Sequence, residues 1–288
     1  MKKDIINSVS YNKLVEDIVE KILHLRRDNR GSHNRTPLDL YVKYILFKLI
    51  SGCSWDDFDA IPNIPYTGDT LRKKFNKWSD AGIFNEQFEQ LLKLFFNNNT
   101  NTNIELFMDS FDVLNSKGTK KDTSIGHKYK NKNALRVNVI ATENLIPIAV
   151  DLYPANINDN QRIENILEQL PTYLNSTYNK PVKIVSDLGY LINKKRNQII
   201  RTKYNATIVT SKRKNMKKKR ISVENKKLLK KRICIEHFNA KLLGKFKNLK
   251  TVTDKTNIKI KRWLLISFSY LLLEQLNKNI YDDQEEKN

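Results

Sequence analysis

Three acidic side chains, Asp109, Asp187 and Glu236, have the types and spacing to do metal-assisted chemistry. Apolar alternation over residues 104–109 and a short apolar run over 182–187 predict two strands, the first and fourth of their region. Each strand ends in an aspartate, and in open α/β sheets sites form outside the carboxyl ends of strands. If the two strands are parallel neighbours, their last residues lie roughly 5 Å apart, the spacing of paired strands. Carboxylates that close repel unless a cation sits between them. A hard divalent ion such as Mg²⁺ prefers oxygen ligands and keeps positions open for phosphate oxygens. The third acid comes from a helix on which Ile235, Phe238, Leu242, Phe246 and Leu249 form an apolar stripe. Glu236 is about 100° from Ile235, on the flank of that stripe, where it can reach the same ions. Two ions held by such a trio activate a water or a 3′-hydroxyl and stabilise the leaving oxygen of a phosphodiester.

Plainer roles exist for each acid. A strand-terminal aspartate is often a turn former, and Glu236 has Arg232 one helical turn before it as an ion-pair partner. Asp112, Asp151 and Asp159 compete for the same role on pattern alone.

The elements that must position these acids follow from periodicity and punctuation. Helical spacing over residues 5–27 predicts a leading helix, broken at NRGSHNR. Thr36-Pro37 reads as a cap and first-turn proline for the apolar helix LDLYVKYILFKLIS, which stops at Gly52. Ser54 and Asp57 suggest a short capped helix, SWDDF. A third helix, TLRKKFNKWSDAG, ends at Gly82, and a fourth runs from 83 to about 96. NNNTNTN (97–103) is the strongest boundary signal. Beyond it, residues 135–142 and 145–152 read as a hairpin about Glu143-Asn144, 159–170 as a helix, 206–210 as a strand, and 225 onward as helices. The result is a mixed α/β arrangement preceded by a helical region.

The 288 residues carry 52 basic and 31 acidic side chains, a net charge of +21. Such a chain lies along a polyanion or contacts acidic lipid. An AT-rich genome inflates lysine, but does not explain its clustering. Between 212 and 220, seven of nine residues are basic: Lys212, Arg213, Lys214, Lys217, Lys218, Lys219 and Arg220. That segment joins the last strand to the Glu236 helix, beside the expected site, where phosphate contacts would be strongly salt-dependent. In the third helix Arg72, Lys73 and Lys77 lie opposite Phe75 and Trp78, which suits contact with DNA. Two distant cysteines, Cys53 and Cys234, suggest neither a disulfide scaffold nor a zinc site, and point to a reducing compartment. The apolar run 263–273 is too short to span a bilayer and reads as a buried helix.

At these residues the sequence resembles the DDE transposases of bacterial insertion sequences, in the group related to Harbinger elements. FMDSFDV is similar to the family's first-acid strand. GHKYKNKNALRVNVIATENLIPIAVDLYPANINDNQ resembles its glycine/lysine segment, hairpin and following acidic stretch, whose final position is Asp159. IVSDLGY resembles the second-acid motif, with Leu188 where the family has lysine. RICIEHFNAKLLGKFKNLK resembles the third-acid helix, with Arg232 preceding Glu236; Leu229 and Leu243 stand where the family has tyrosine and lysine. RTPLDLYVKYILFKLISGCSWDDFDAIP and TLRKKFNKWSDAGIF resemble its helical DNA-binding region, with Gly52 and Trp55 in a turn and Arg72, Phe75 and Trp78 on a helix.

The resemblance implies an α/β protein with an RNase H-like mixed-sheet core over 101–280, a helix-turn-helix-like DNA-binding domain over 1–100, and a polar tail over 281–288. It implies Mg²⁺-dependent strand cleavage at transposon ends and strand transfer into target DNA, with two ions (Mn²⁺ as a substitute) on Asp109, Asp187 and Glu236. Arg232 joins the basic residues above as a DNA contact. The implied partners are double-stranded DNA and a second copy of the chain, with no membrane, in a bacterial cytoplasm at the nucleoid or in a nuclear or viral setting. The departures at Leu188, Leu229 and Leu243 motivate one alternative, a decayed or domesticated copy that binds DNA without cutting. A non-transposing nuclease with the same core is another.

Overall fold

The computed structural model describes residues 5, 8–28, 38–98, 105–119, 121–125, 132–171, 181–212, 221–254 and 256–285. They form two compact units. One is built from Met1–Asn98, Leu243–Val252 and Ile258–Asn288, the other from Asn99–Leu242 and Thr253–Asn257.

The first unit is helical. Its helices are α1 (Val9–Asp28), α2 (Leu38–Ser51), α3 (Gly68–Asp80) and α4 (Ile83–Asn98), joined by most of α9 (Asn257–Glu285). α2 coincides with the apolar run read from the sequence and buries Leu38, Tyr41, Val42, Ile45, Leu46, Leu49 and Ile50. It ends because Gly52 adopts φ 76°, with its N–H donating to the Lys48 carbonyl at 2.8 Å. A Cβ at Gly52 would also meet Lys247 Cβ at 2.9 Å. The SWDDF segment forms a 3₁₀ turn, Asp56–Ala60. Ser54 and Asp57 cap it reciprocally: the Asp57 N–H donates to Ser54 Oγ at 3.1 Å and the Ser54 N–H to Asp57 Oδ2 at 2.6 Å. α3 starts two residues earlier than expected, because Thr67 accepts from the Thr70 N–H and acts as its cap. It packs Leu71, Phe75 and Trp78 inward, and Phe75 stacks on Trp263 at 4.0 Å. Residues 263–273 of α9 are all buried, so this run is core, and among the described residues no helix is long and apolar enough to cross a membrane.

The second unit is mixed α/β. Its strands are β1 (Leu106–Asn115), β2 (Ser124–Ile125), β3 (Asn133–Thr142), β4 (Pro147–Pro154), β5 (Val182–Ser186) and β6 (Ala206–Thr210). β4-β3-β1-β5-β6 lie side by side, and β2 pairs the start of β3. β1–β3 and β3–β4 are antiparallel, whereas β1–β5 and β5–β6 are parallel. The helices here are α5 (Ile163–Leu167), α6 (Lys194–Tyr204), α7 (Val223–Lys231) and α8 (Ile233–Lys245). Asn197 on α6 clamps β6, donating to the Ile208 carbonyl and accepting from the Ile208 N–H, both at 3.0 Å.

Four expectations are corrected. β1 does not stop at Asp109 but runs on through Ser110 and Asp112 to Asn115. The β3–β4 connection is longer than Glu143-Asn144. Leu145 takes a left-handed conformation (φ 63°), with its N–H bonded to the Thr142 carbonyl, and β4 starts two residues late. Residues 159–170 split into a 3₁₀ turn, Asp159–Arg162, and the short α5. The C-terminal helices are interrupted by a 3₁₀ turn at Lys247–Leu249 and the two-residue β7 (Thr251–Val252).

Candidate active site

Asp109 sits where the pairing of β1 changes. Its parallel ladder with β5 ends at Met108↔Ser186, while its antiparallel ladder with β3 continues through Asp109↔Val139 to Leu114↔Ala134. Asp109 and Asp187 are therefore the next residues along two adjacent strands, just past the last paired position. One flank of β1 stays fixed by β3 while the other is released. β5 leaves the sheet because Asp187 caps a 3₁₀ turn, Leu188–Tyr190, accepting from the Gly189 N–H at 2.8 Å. At Gly189 the constraint is space: a Cβ would lie 3.0 Å from Asp187 Oδ1 and 3.2 Å from Asp159 Oδ2.

The helix α8 reaches the same place. Its apolar stripe, Ile235, Phe238 and Leu242, is buried. From it Asn239 donates Nδ2 to Asp109 Oδ2 at 3.0 Å. Burial pushes the Asp109 carboxyl up to about 6. The backbone N–H of Ser110 opposes that rise, Asp187 adds to it, Arg232 opposes it, and Glu236 adds to it. Charges from the end of β5 and from the start of α8 thus act on one carboxyl group. Glu236 itself is 49% exposed and accepts from Arg232 Nη2 at 2.5 Å. Among the described residues no three His, Cys, Asp or Glu side chains are grouped to hold one ion. The sheet brings Asp109 and Asp187 together, and the third acid is turned onto its arginine.

The competing acids are occupied otherwise. Asp112 binds Arg136 Nε at 2.8 Å, and Asp151 accepts from Arg162 Nε and Nη2 at 2.9 and 3.0 Å. Asp159 Oδ1 accepts from Tyr153 OH at 2.7 Å, Ser110 Oγ at 3.1 Å and Arg136 Nη1 at 3.2 Å. Beside them Tyr190 OH bonds Asn138 Oδ1 at 2.8 Å. These contacts form a half-buried polar layer across β1, β3 and β4, next to the Asp187 turn. Asp109 and Asp187 are instead held by amide donors, and among the described residues no cation is bonded to either. The sequence reading missed Asn239, Arg136 and Tyr153. For Asn239 the only available signal was its place three residues after Glu236, on the same helix.

Of the candidate DNA contacts, Arg72, Lys73 and Lys77 are on α3, away from its buried face, and Arg72 and Lys73 both pair with Asp69. Lys212 is half-buried just after β6, and Arg232 pairs with Glu236 as described. Arg213, Lys214, Lys217, Lys218, Lys219 and Arg220 lie outside the described residues, as do Thr36-Pro37, residues 99–104 and 126–131.

A mixed sheet that sets two aspartates side by side at the edge of its parallel pairing, beside a helix bearing a third acid, defines a carboxylate-site α/β protein. The family model for the transposase DDE domain matches residues 101–272, and the chain belongs to that family. Its function is of transposase type, and the family implies a DNA substrate. No curated protein and no solved structure matches the chain.

Proposed function

We propose that this protein is a DNA transposase that cuts strands at transposon ends and joins the freed 3′-hydroxyl to target DNA, with Asp109, Asp187 and Glu236 as its catalytic acids. The observation that carries the reading is the placement of Asp109 and Asp187 at adjacent ends of the parallel ladder, with α8 bonded to Asp109 one turn beyond Glu236. The strand order supports an RNase H-like core.

The donor set suits Mg²⁺ or Mn²⁺. The acids offer hard oxygens, and among the described residues no cation is bonded to Asp109 or Asp187 and the buried Asn239 amide oxygen has no partner. When bound, divalent ions would polarise the scissile phosphate and lower the pKa of the attacking hydroxyl or water. Asp109 and Asp187 would hold such ions from the rigid sheet. Glu236 would join by rotating away from Arg232, a small movement for a side chain half exposed to water, and Arg232 would then be free to meet a phosphate. The basic face of α3 and the lysine-rich stretch 212–220 would carry the DNA backbone, and the 1–100 region would serve in end binding. A homodimer is expected on DNA, because two ends must be held together.

The test is a cleavage and strand-transfer assay with Mg²⁺ or Mn²⁺ on DNA carrying the element's ends. Strand breaks that Asp109→Asn removes, with DNA binding retained, support the proposal. A pure DNA binder is the second reading, favoured by the engagement of Glu236 with Arg232; it predicts no breaks with any divalent ion. Breaks without joining would indicate a nuclease.

A further inference from the structure

The residue that links α8 to the sheet has a further role. Asn239 is 8% exposed, and its two amide atoms face different situations. Nδ2 donates to Asp109 Oδ2, and Oδ1 is buried with no hydrogen-bond partner among the described residues. The amide cannot sensibly be reversed, since an ionised carboxylate only accepts hydrogen bonds and would repel the oxygen. The unpartnered atom is therefore an acceptor, held within a few bonds of the carboxylate pair. Buried acceptors are normally satisfied, so an acceptor kept free at such a place has a donor to receive.

We propose that Asn239 is a positioning residue of the carboxylate site: its amide N–H fixes the orientation of Asp109, and its amide oxygen receives a water or hydroxyl that enters with the divalent ion. This inference rests on the metal-binding reading above. An aspartate at this position would not serve, because it would lose the donor and add a third charge beside a carboxyl already opposed by Asp187 and Glu236. The position also explains how α8 transmits its placement. Glu236 accepts from Arg232, the residue just before α8, and the Asn239 bond fixes α8 to the strand that bears Asp109.

The experiment is a titration of the full chain with Mn²⁺ alone, following free Mn²⁺ by electron paramagnetic resonance. Wild type is compared with Asp109→Asn, Asn239→Ala, Asn239→Leu and Asn239→Gln, and thermal melts are recorded without metal. Loss of a residue that orients a metal ligand typically weakens metal binding about 10- to 100-fold. Asn239→Ala should therefore bind Mn²⁺ about 10-fold more weakly, with Asn239→Gln, which keeps the amide, recovering part of the loss. Asn239→Leu fills the volume, so it reads the same contrast should the alanine variant fail to fold. A purely structural asparagine would change the melt and leave the affinity of the folded protein intact. Wild-type affinity in the folded Ala or Leu variant overturns the role of Asn239 and leaves the carboxylate reading standing. If wild type has no Mn²⁺ site that Asp109→Asn removes, the metal-binding reading itself fails, and this inference with it.

Discussion

The two halves of the candidate site are held by different means. Asp109 projects from a strand and Asp187 from the residue just past the adjacent one, where a hydrogen-bonded ladder fixes both, and their carboxylates are oriented by amide donors. Glu236 projects from a helix, half in water, and it is held by one arginine, Arg232, at the junction just before that helix. A pair built on strands is preorganised, whereas a group held by an exposed ion pair worth only about 0–1 kcal/mol is free to change partners. On the proposed reading, the difference separates the part of the site that is set before substrate arrives from the part that can close onto it.

The largest effect should fall on the rigid pair. Asp109→Asn or Asp187→Asn is expected to reduce strand cleavage by about 1,000-fold or more, roughly 4 kcal/mol in barrier at about 1.4 kcal/mol per tenfold. Glu236→Gln, which removes the proposed third acid, should cost less, about 100-fold. Equal losses at all three would show that the helix holds its acid as firmly as the sheet holds the pair. Asp109→Asn should not lower the melting temperature. Its carboxyl is raised to about 6, so at neutral pH the charged form opposes folding, and a neutral amide relieves that cost.

The layer behind the pair can be tested by stability. Asp159→Ala removes the acceptor shared by Tyr153, Ser110 and Arg136 and should destabilise the protein by about 3 kcal/mol, read from a denaturant melt. A loss under about 1 kcal/mol would mean that Asp112 alone satisfies Arg136. Next in size is Gly189→Ala. Its methyl would crowd Asp187 Oδ1 and Asp159 Oδ2, and cleavage should fall about tenfold, with a melt shifted by no more than about 1 kcal/mol. Unchanged activity would show that the Asp187 carboxylate has room to turn. The smallest stability effect is expected for Arg72→Ala with Lys73→Ala, under about 0.5 kcal/mol, because both are exposed partners of Asp69. DNA affinity should nevertheless weaken, and the salt dependence of binding should become shallower. An unaltered salt slope would remove α3 from the DNA interface.

What could be read from the sequence depended on whether the signal was local. α2 and the Glu236 helix declare themselves through apolar spacing that the structure buries, and the Ser54–Asp57 cap lies within a single turn of chain. The aspartate strands were legible as apolar runs ending in an acid. The continuation of β1 was not, because Ser110 and Asp112 find their partners on Asp159 and Arg136, distant in sequence. Asn239 meets Asp109 across 130 positions, and no local pattern marks such a pairing. Leu145 contradicts its own propensity: a branched residue at positive φ costs roughly 1–2 kcal/mol, and the hairpin closure imposes it.

The helical unit has a consequence for biosynthesis. Phe75 and Trp55 rest against Trp263, and Lys48, itself buried, bonds Asn248 Oδ1 at 3.1 Å. A ribosome delivers the first of these residues long before the last, so the early helices must wait, with an apolar side uncovered, until Asn248 and Trp263 have been made. A fragment of residues 1–100 should accordingly be protease-sensitive and prone to self-association, and supplying residues 243–288 in trans should protect it.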